Sequence, residues 1–374
     1  MIYMVIMTHK IRIYPNKTMV KQFTELFGYS RYSYNVALQL WNKMYLAGEK
    51  PNERKVRNHY RKEYRQDWEK SYCSSVFENA VTNLGNGWSR FFKGLSKKPK
   101  LKSRKKAKDS FTVHRKTSTT IRIKGNRLYL PKFKYGVKMA EQPKFAGVIK
   151  TATVTKRANK YWVSLSIELD EPQYLYRVSP NLPTVGVDAN IGHFDISEEE
   201  NPRWKTPLDS LNLLYERVAV YQRRLKRKVK GSKKYEVTKT KLQKTYLRIQ
   251  NIQDDWLNKF TTYLVYNYGK ICIEDLNIKG MLSNRKIAKK ISRSMFYKFR
   301  VQLQNKCTVA GNELVIADRW FPSTQTCSEC GCRKEGDEKL SLSDRVYNCY
   351  ECGAILDRDY NSARNLKLYA ERVG

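Results

Sequence analysis

The sequence predicts a multidomain α+β chain: a small β-barrel with helices inserted into it, followed by an α/β domain interrupted by a four-cysteine segment. Three observations lead there. Period-two apolar segments stand at residues 10–14 and 110–170, on either side of a helical stretch at 16–92. Two apolar strands near 185–189 and 271–275 each end in an acid and flank a long helical stretch. Five of the eight cysteines fall within residues 327–352. A chain of 374 residues has room for two domains with insertions.

Charge narrows the function. Lys plus Arg number 73 and Asp plus Glu 35, a net +38. Such an excess repels itself unless a polyanion neutralises it, and nucleic acid is the obvious one. A membrane surface is the rival, but no apolar run approaches the roughly 18 residues of a span. Residues 1–7 lack the basic lead and cleavage site of a signal peptide, so they read as a strand and the chain as cytoplasmic. With 41% hydrophobic residues, wholesale disorder is excluded. Only four histidines are present, so histidine-based catalysis has little to work with.

The elements follow in order. Residues 10–14 alternate and stop at Pro15. Asn16 caps a helix that Gly28 ends, and a second runs from 29 to 46 with Tyr34, Leu38, Trp41 and Tyr45 on one face. A third spans 74–92. Residues 93–108 carry nine cations and no acid, a solvated linker that can also follow a phosphate backbone. Lys-Gly-Asn and Arg-Ala-Asn are the turns of two hairpins between 121 and 169. Residues 172–183 connect to the next domain. A helical stretch at 206–266 breaks at Gly231-Ser232, which predicts a helical hairpin, with eight cations and no acid from 223 to 234. A helix at 293–311, a strand at 313–317 and a last helix from Asp359 complete the chain.

Cys327-Ser-Glu-Cys330-Gly and Cys349-Tyr-Glu-Cys352-Gly are two knuckles with 18 residues between them. Four thiolates at this spacing predict a structural zinc ion. Cys332 stands too close to Cys330 to be the natural fourth ligand, and Cys73, Cys272 and Cys307 read as core. The knuckles serve equally as a fold staple or as a basic module gripping nucleic acid.

Asp188 and Glu274 end strands, and Asp359 opens the last helix. Carboxylates are the hard oxygen ligands that Mg²⁺ or Mn²⁺ prefers. Two such ions would activate water and stabilise the leaving oxygen of a phosphodiester. Strand–acid, strand–acid, helix–acid is the order of an RNase H-like nuclease domain. A strand-end acid is also an ordinary cap, and Asp195, Glu198, Glu199, Glu200, Asp275 and Asp357 are alternatives.

Phe321-Pro-Ser-Thr-Gln-Thr-Cys-Ser-Glu-Cys-Gly followed by Asp357-Arg-Asp-Tyr-Asn-Ser-Ala-Arg-Asn365 closely resembles the C-terminus of the TnpB family, insertion-sequence-encoded relatives of type V CRISPR effectors. Arg12-Ile-Tyr-Pro-Asn16, Arg31-Tyr-Ser-Tyr-Asn35, Asn83-Leu-Gly-Asn-Gly-Trp-Ser-Arg-Phe-Phe92, Val185-Gly-Val-Asp188 and Ile271-Cys-Ile-Glu-Asp-Leu276 are similar to its other motifs, in the same order. The resemblance implies a wedge β-barrel at 1–15 and 105–180, an inserted helical recognition lobe at 16–104, and a RuvC domain at 181–320 and 357–374. It implies a zinc-binding target-nucleic-acid-binding segment at 321–356. The catalytic acids carry over to Asp188, Glu274 and Asp359 rather than Asp357, and the zinc ligands to Cys327, Cys330, Cys349 and Cys352. Asn190 stands where the family has Gly, residues 197–200 replace a Gly-containing turn, and residues 251–258 lack the family's Arg and His.

The resemblance implies an RNA-guided DNA endonuclease using two Mg²⁺ (or Mn²⁺) ions and a structural Zn²⁺. Its partners are a transposon-derived guide RNA and target double-stranded DNA, with no membrane, and it is a monomer in the RNA complex. One site then cuts both strands, which needs a mobile gate, and the zinc segment is the candidate. Reading of the target-adjacent motif maps to Ser74, Ser75, Glu78 and residues 117–120. The rival readings are a nuclease-inactive guided DNA-binding protein of the same fold, a strand-joining transposase and a guide-free zinc-ribbon binder.

Overall fold

The computed structural model describes residues 6–104, 107–117, 120–169, 181–198, 203–341 and 343–373. The chain divides into two compact units, residues 1–172 and 173–374. Among the described residues no helix is long and apolar enough to cross a membrane.

The first unit opens with β1 (Ile6–Tyr14), then α1 (Lys17–Leu46), α2 (Glu53–His59) and α3 (Ser74–Phe92). Asn16 accepts the Met19 N–H and starts α1. The expected break at Gly28 does not occur. Phe23, Phe27, Tyr34, Leu38 and Trp41 are all buried on one face, and Tyr29 is buried on another, so packing on both sides carries the helix through. A mid-helix glycine costs only about 1 kcal/mol, less than that packing returns.

Six more strands follow: β2 (Asp109–His114), β3 (Arg122–Lys124), β4 (Arg127–Tyr129), β5 (Val137–Met139), β6 (Val148–Arg157) and β7 (Lys160–Glu168). With β1 they form an antiparallel sheet in the order β2-β6-β7-β1-β5-β4-β3. The expected barrel is therefore a half-barrel with β2 and β3 as edges. Phe23 and Phe27 of α1 pack on Phe111, joining helices and sheet in one core. The basic linker is not wholly solvated. Lys102 exchanges two hydrogen bonds with the Asn35 side chain at 2.8 and 3.0 Å, and its ammonium lies 3.6 Å from the Tyr34 ring centre. Lys105 and Lys106, and most of the 172–183 connector, fall outside the described residues.

The second unit is built on β8 (Thr184–Asn190), β9 (His193–Ile196) and β10 (Arg203–Lys205). The predicted helical hairpin is α4 (Leu208–Lys226) and α5 (Lys233–Asn267), with Ser232 capping α5. Then come β11 (Lys270–Glu274), α6 (Ile278–Ser283), α7 (Ala288–Ile291), α8 (Phe296–Ala310), β12 (Glu313–Ala317), β13 (Val346–Asn348), β14 (Ile355–Asp357) and α9 (Arg358–Val373). The sheet order is β10-β9-β8-β11-β12. β8, β11 and β12 are parallel, while β9 and β10 form an antiparallel meander on β8.

Both faces of this sheet are covered. Val185, Val187, Ile271 and Ile273 pack with Leu257 and Phe260 of α5 and Phe299 and Leu303 of α8. Cys272 packs on the other face with Leu366 and Ala370 of α9. Gly186 lets α9 lie directly on β8: a Cβ there would stand 1.9 Å from the Ala363 carbonyl oxygen and 2.5 Å from the Lys367 nitrogen. Both contacts are backbone, so neither can rotate away.

Gly186→Ala is therefore expected to lower stability by about 1–3 kcal/mol through overpacking. Thermal denaturation checks this, and an unchanged melting temperature would contradict the close approach.

Candidate active site and cysteine cluster

Strand alternation aims the acids. Side chains two apart share a face, so Asp188 follows Gly186 and Glu274 follows Cys272 onto the α9 side of the sheet. β8 and β11 are parallel neighbours, which sets both acids at the same end. Asp359 lies in the first turn of α9, over that end. The structure thus brings together Asp188, Glu274 and Asp359, from three segments far apart in sequence.

Two further residues join them. Asp195 on β9 is the antiparallel partner of Asp188 and is fully buried. His193, two residues earlier, places its Nε2 3.1 Å from Asp195 Oδ2 and 3.3 Å from Asp359 Oδ2. Asn190 donates to Asp188 Oδ2 at 2.5 Å and to Asp195 Oδ2 at 3.4 Å. Ser323 donates to Glu274 Oε1 at 2.7 Å. Arg203 on β10 lies 2.9 Å from Asp195 Oδ1 and 3.7 Å from Asp359 Oδ2, and Arg358 Nη2 lies 3.3 Å from Asp359 Oδ1.

The charges are unevenly met. Burial, then the neighbouring Glu274 and Asp359, hold the Asp188 carboxyl well above the usual carboxylate range. Burial also raises Glu274, against the Ser323 hydrogen bond. Burial works against ionisation of Asp359 too, but His193 and Arg358 outweigh it and its pKa falls. The hydrogen bonds to Asp195 and Asp359 push His193 up to about 9. Among the described residues Asp188 and Glu274 have neutral donors only, and no salt bridge. Two carboxylates crowded in this way are a donor set that suits a hard divalent cation.

Three of the alternatives, Asp357, Asp275 and Glu198, are spent elsewhere. Asp357 Oδ1 accepts the N–H groups of Asp359 and Tyr360 at 2.9 and 3.1 Å, so it caps α9. Asp275 is bound by Arg300 and Arg319. Glu198 pairs with Lys367, while Glu199 and Glu200 lie outside the described residues.

Cys327, Cys330, Cys349 and Cys352 converge with their sulfurs all within 4.8 Å. The Cys327–Cys352 and Cys330–Cys349 separations are 3.7 and 3.6 Å. Four sulfurs around a tetrahedral zinc stand about 3.8 Å apart, so the cluster fits that ion. Gly331 and Gly353 hold φ of 78° and 75°, the left-handed turn each knuckle needs. Cys332 supplies its carbonyl to the Cys327 N–H and is not in the cluster. The segment is tied to α9 by Asn361 and Asn365, whose amides both donate to the Thr326 carbonyl, at 2.7 and 2.6 Å. Asn365 also reaches the Ser323 carbonyl at 2.8 Å.

The residues expected to read base edges are differently occupied. The Glu78 carboxylate is held by Arg61 at 2.7 Å, Lys116 at 2.9 Å and His114 at 3.0 Å. Ser75 is fully buried beside Cys73. Ser74 accepts from Lys116, and residues 118 and 119 lie outside the described residues. Glu78 is therefore the centre of a local ion network rather than a free probe. Conversely, His193 and Arg203 were not singled out by sequence reasoning, and Asp195 stood only as an alternative. The signal was present: His193 and Asp195 alternate with Phe194 and Ile196, so one face of a short strand is polar.

Residues 296–366 match the family described as "Cas12f1-like, TNB domain", residues 164–285 that described as "Probable transposase", and residues 1–50 a "Helix-turn-helix domain". The described part of 1–50 holds β1 and the single helix α1. A Streptomyces pristinaespiralis protein named as a candidate RNA-guided DNA endonuclease is 30% identical over 368 residues, covering 96% of this chain and 87% of the relative. An Escherichia coli K12 protein of the same description, InsQ, is 25% identical over 376 residues, covering 96% and 90%. A Cas12f1 chain, solved by cryo-electron microscopy in complex with guide RNA and target DNA, superposes with a TM-score of 0.61 at 14% identity, over 94% of this chain and 83% of that one.

Metal analysis is expected to find zinc in the wild-type protein and less in Cys349→Ser, where three thiolates remain. Cys332→Ser should leave the zinc content unchanged. The reverse pattern would overturn the ligand set.

Proposed function

The chain belongs to the TnpB family, the insertion-sequence-encoded relatives of type V CRISPR effectors, and from that membership and the geometry above we propose that it is an RNA-guided DNA endonuclease. It binds a transposon-derived guide RNA, checks a short duplex motif beside the target, and leaves sequence reading to base pairing. The second unit is its RNase H-like RuvC domain, carrying the zinc segment between β12 and α9. The first unit is the wedge sheet with its inserted recognition helices. It works in the cytoplasm, as a monomer with its RNA.

The observation that carries this reading is the convergence of Asp188, Glu274 and Asp359 at one end of the sheet. Their oxygens would hold Mg²⁺ or Mn²⁺, two ions in all. Such ions supply the positive charge that activates a water nucleophile and stabilises the departing oxygen.

The chain's own groups set the stage for that chemistry. Asn190 fixes Oδ2 of Asp188, and Ser323 fixes Oε1 of Glu274. His193 bridges Asp195 and Asp359 through its Nε2 and so fixes the Asp359 carboxylate. Arg203 holds Asp195, which in turn holds His193. Preorganised partners of this kind spare the site a rearrangement during reaction.

Replacing Asp188, Glu274 or Asp359 by Ala should lower Mg²⁺-dependent cleavage of a matched target by several orders of magnitude while guide and target binding persist. Asp357→Ala should be milder, because it removes a helix cap worth about 1 kcal/mol. Cleavage and binding assays on the four variants check this. Normal cutting by all four would defeat the assignment of the site to these acids. A wild type that binds its matched target yet never cuts would instead be a guided DNA-binding protein.

RNA affinity should also fall steeply with salt, by about 10³–10⁵ between 50 and 200 mM if six to ten phosphates contact the basic stretches at 93–108 and 223–234. A flat profile would remove those stretches from the interface.

A further inference from the structure

We infer that His193, Asp195 and Asp359 form a cation site of one nitrogen and two oxygen ligands, selective for a first-row transition metal over Mg²⁺. The inference deepens the nuclease reading, with which it shares Asp359, by adding two ligands and a class of metal.

Strand register builds the site. His193 and Asp195 stand two apart on β9 and so share a face. Asp359 enters from the first turn of α9. Nε2 of His193 lies 3.1 Å from Asp195 Oδ2 and 3.3 Å from Asp359 Oδ2. Ligands about 2.1 Å from a metal stand about 3.0 Å apart at a right angle and about 3.4 Å apart at the tetrahedral angle, so both separations fit one shared ion. Ligand atoms of all three residues lie within 4.8 Å of one another. Among the described residues the other histidines each meet a single carboxylate: His9 meets Glu141, His59 meets Glu63 and His114 meets Glu78.

Arginines clamp one oxygen of each acid and leave the other. Asp195 Oδ1 takes Arg203 Nε at 2.9 Å, and Asp359 Oδ1 takes Arg358 Nη2 at 3.3 Å. Besides His193, Oδ2 of Asp195 has the long Asn190 contact at 3.4 Å, and Oδ2 of Asp359 has Arg203 at 3.7 Å. Outer partners that hold one side of a ligand and aim the other are how metal sites orient their first shell. Asp195 is fully buried and Asp359 nearly so. His193 is half-buried and lines a cleft of about 570 Å³, which gives an ion and its waters a way in. A hydrogen on Nε2 serves both oxygens in this geometry, and a bound ion would replace it.

The donor set chooses the metal. Imidazole nitrogen suits first-row transition metals, whereas Mg²⁺ wants oxygen ligands and sheds water reluctantly. The arginines also make this the weaker position, so Mg²⁺ goes first to Asp188 and Glu274, where no ion pair is broken. Later ions of the row would compete for the four cysteines. Mn²⁺, the weakest binder of the row, is the demanding probe.

The test uses the full chain, freed of nucleic acid at high salt and given Mn²⁺ with Mg²⁺ in large excess. Electron spin-echo spectroscopy of the bound Mn²⁺ should show modulation from a directly bound nitrogen, and isotopic labelling of histidine nitrogen should alter it. His193→Gln should abolish the modulation. His193→Gln and Asp195→Asn should each weaken Mn²⁺ binding at least about tenfold, with zinc content unchanged. A wild type without nitrogen modulation overturns the site, and this result needs no variant to fold. So does modulation that survives His193→Gln, or a Mn²⁺ affinity unmoved by Asp195→Asn. None of these readouts involves cleavage. A wild type that holds Mn²⁺ on His193 yet never cuts refutes the nuclease reading alone, and one that cuts with no nitrogen on its Mn²⁺ refutes this site alone.

Discussion

The active end of the second unit depends on one close approach, that of α9 to β8 at Gly186. Ala363, which the missing side chain would strike, lies one helical turn beyond Asp359. Gly186 lies two residues before Asp188 on the same face of the strand. The single backbone contact therefore fixes the distance between two acids that are otherwise 171 residues apart in sequence. Any larger residue at 186 would lift the helix, and Asp359 would rise with it. Cys272 repeats the arrangement on β11, where a small buried side chain under Leu366 and Ala370 keeps the helix close to Glu274.

The electrostatics of that end are lopsided. Asp359 has His193, Arg203 and Arg358 within 3.7 Å, whereas Asp188 and Glu274 have an amide and a hydroxyl. The unmet negative charge is concentrated on the Asp188–Glu274 side. In a chain of net charge +38 this is a small acidic spot. A divalent cation gains most from binding where carboxylates lack other partners, because no existing ion pair must be broken. His193 and Arg203, two of the three cations around Asp359, also line a neighbouring cleft, whereas Arg358 reaches the Ser341 carbonyl.

Much of this was legible in the sequence, for identifiable reasons. Asp188 and Glu274 could be read because each follows directly on an apolar run, Glu274 at the end of β11 and Asp188 two residues before the end of β8, and the cysteines because two knuckles impose their own spacing. α4 and α5 were readable from their stripes and from Gly231. Gly28 misled because a glycine stops a helix only when nothing packs on its far side, and here Phe111 of β2 packs against Phe27. The barrel reading failed at closure: alternation reports which residues face a core, not whether the last strand meets the first. His193 and Asp195 were hard to weigh because β9 has only four residues. Their importance comes from an antiparallel register with β8 that no local pattern reveals.

The cysteine segment is joined to this centre by more than chain continuity. Asn361 and Asn365 sit on successive turns of α9 and converge on the Thr326 carbonyl, one residue before Cys327. Asn365 also holds the carbonyl of Ser323, whose hydroxyl holds Glu274. Ser328 closes the set by donating its N–H to Asn361 Oδ1 at 2.9 Å. A swing of the segment about residues 323–328 must break these bonds together, since they share two carbonyls and two side chains. The hydroxyl that orients Glu274 would leave with it. The cysteine segment and the orientation of the Glu274 carboxylate are therefore linked through shared hydrogen bonds.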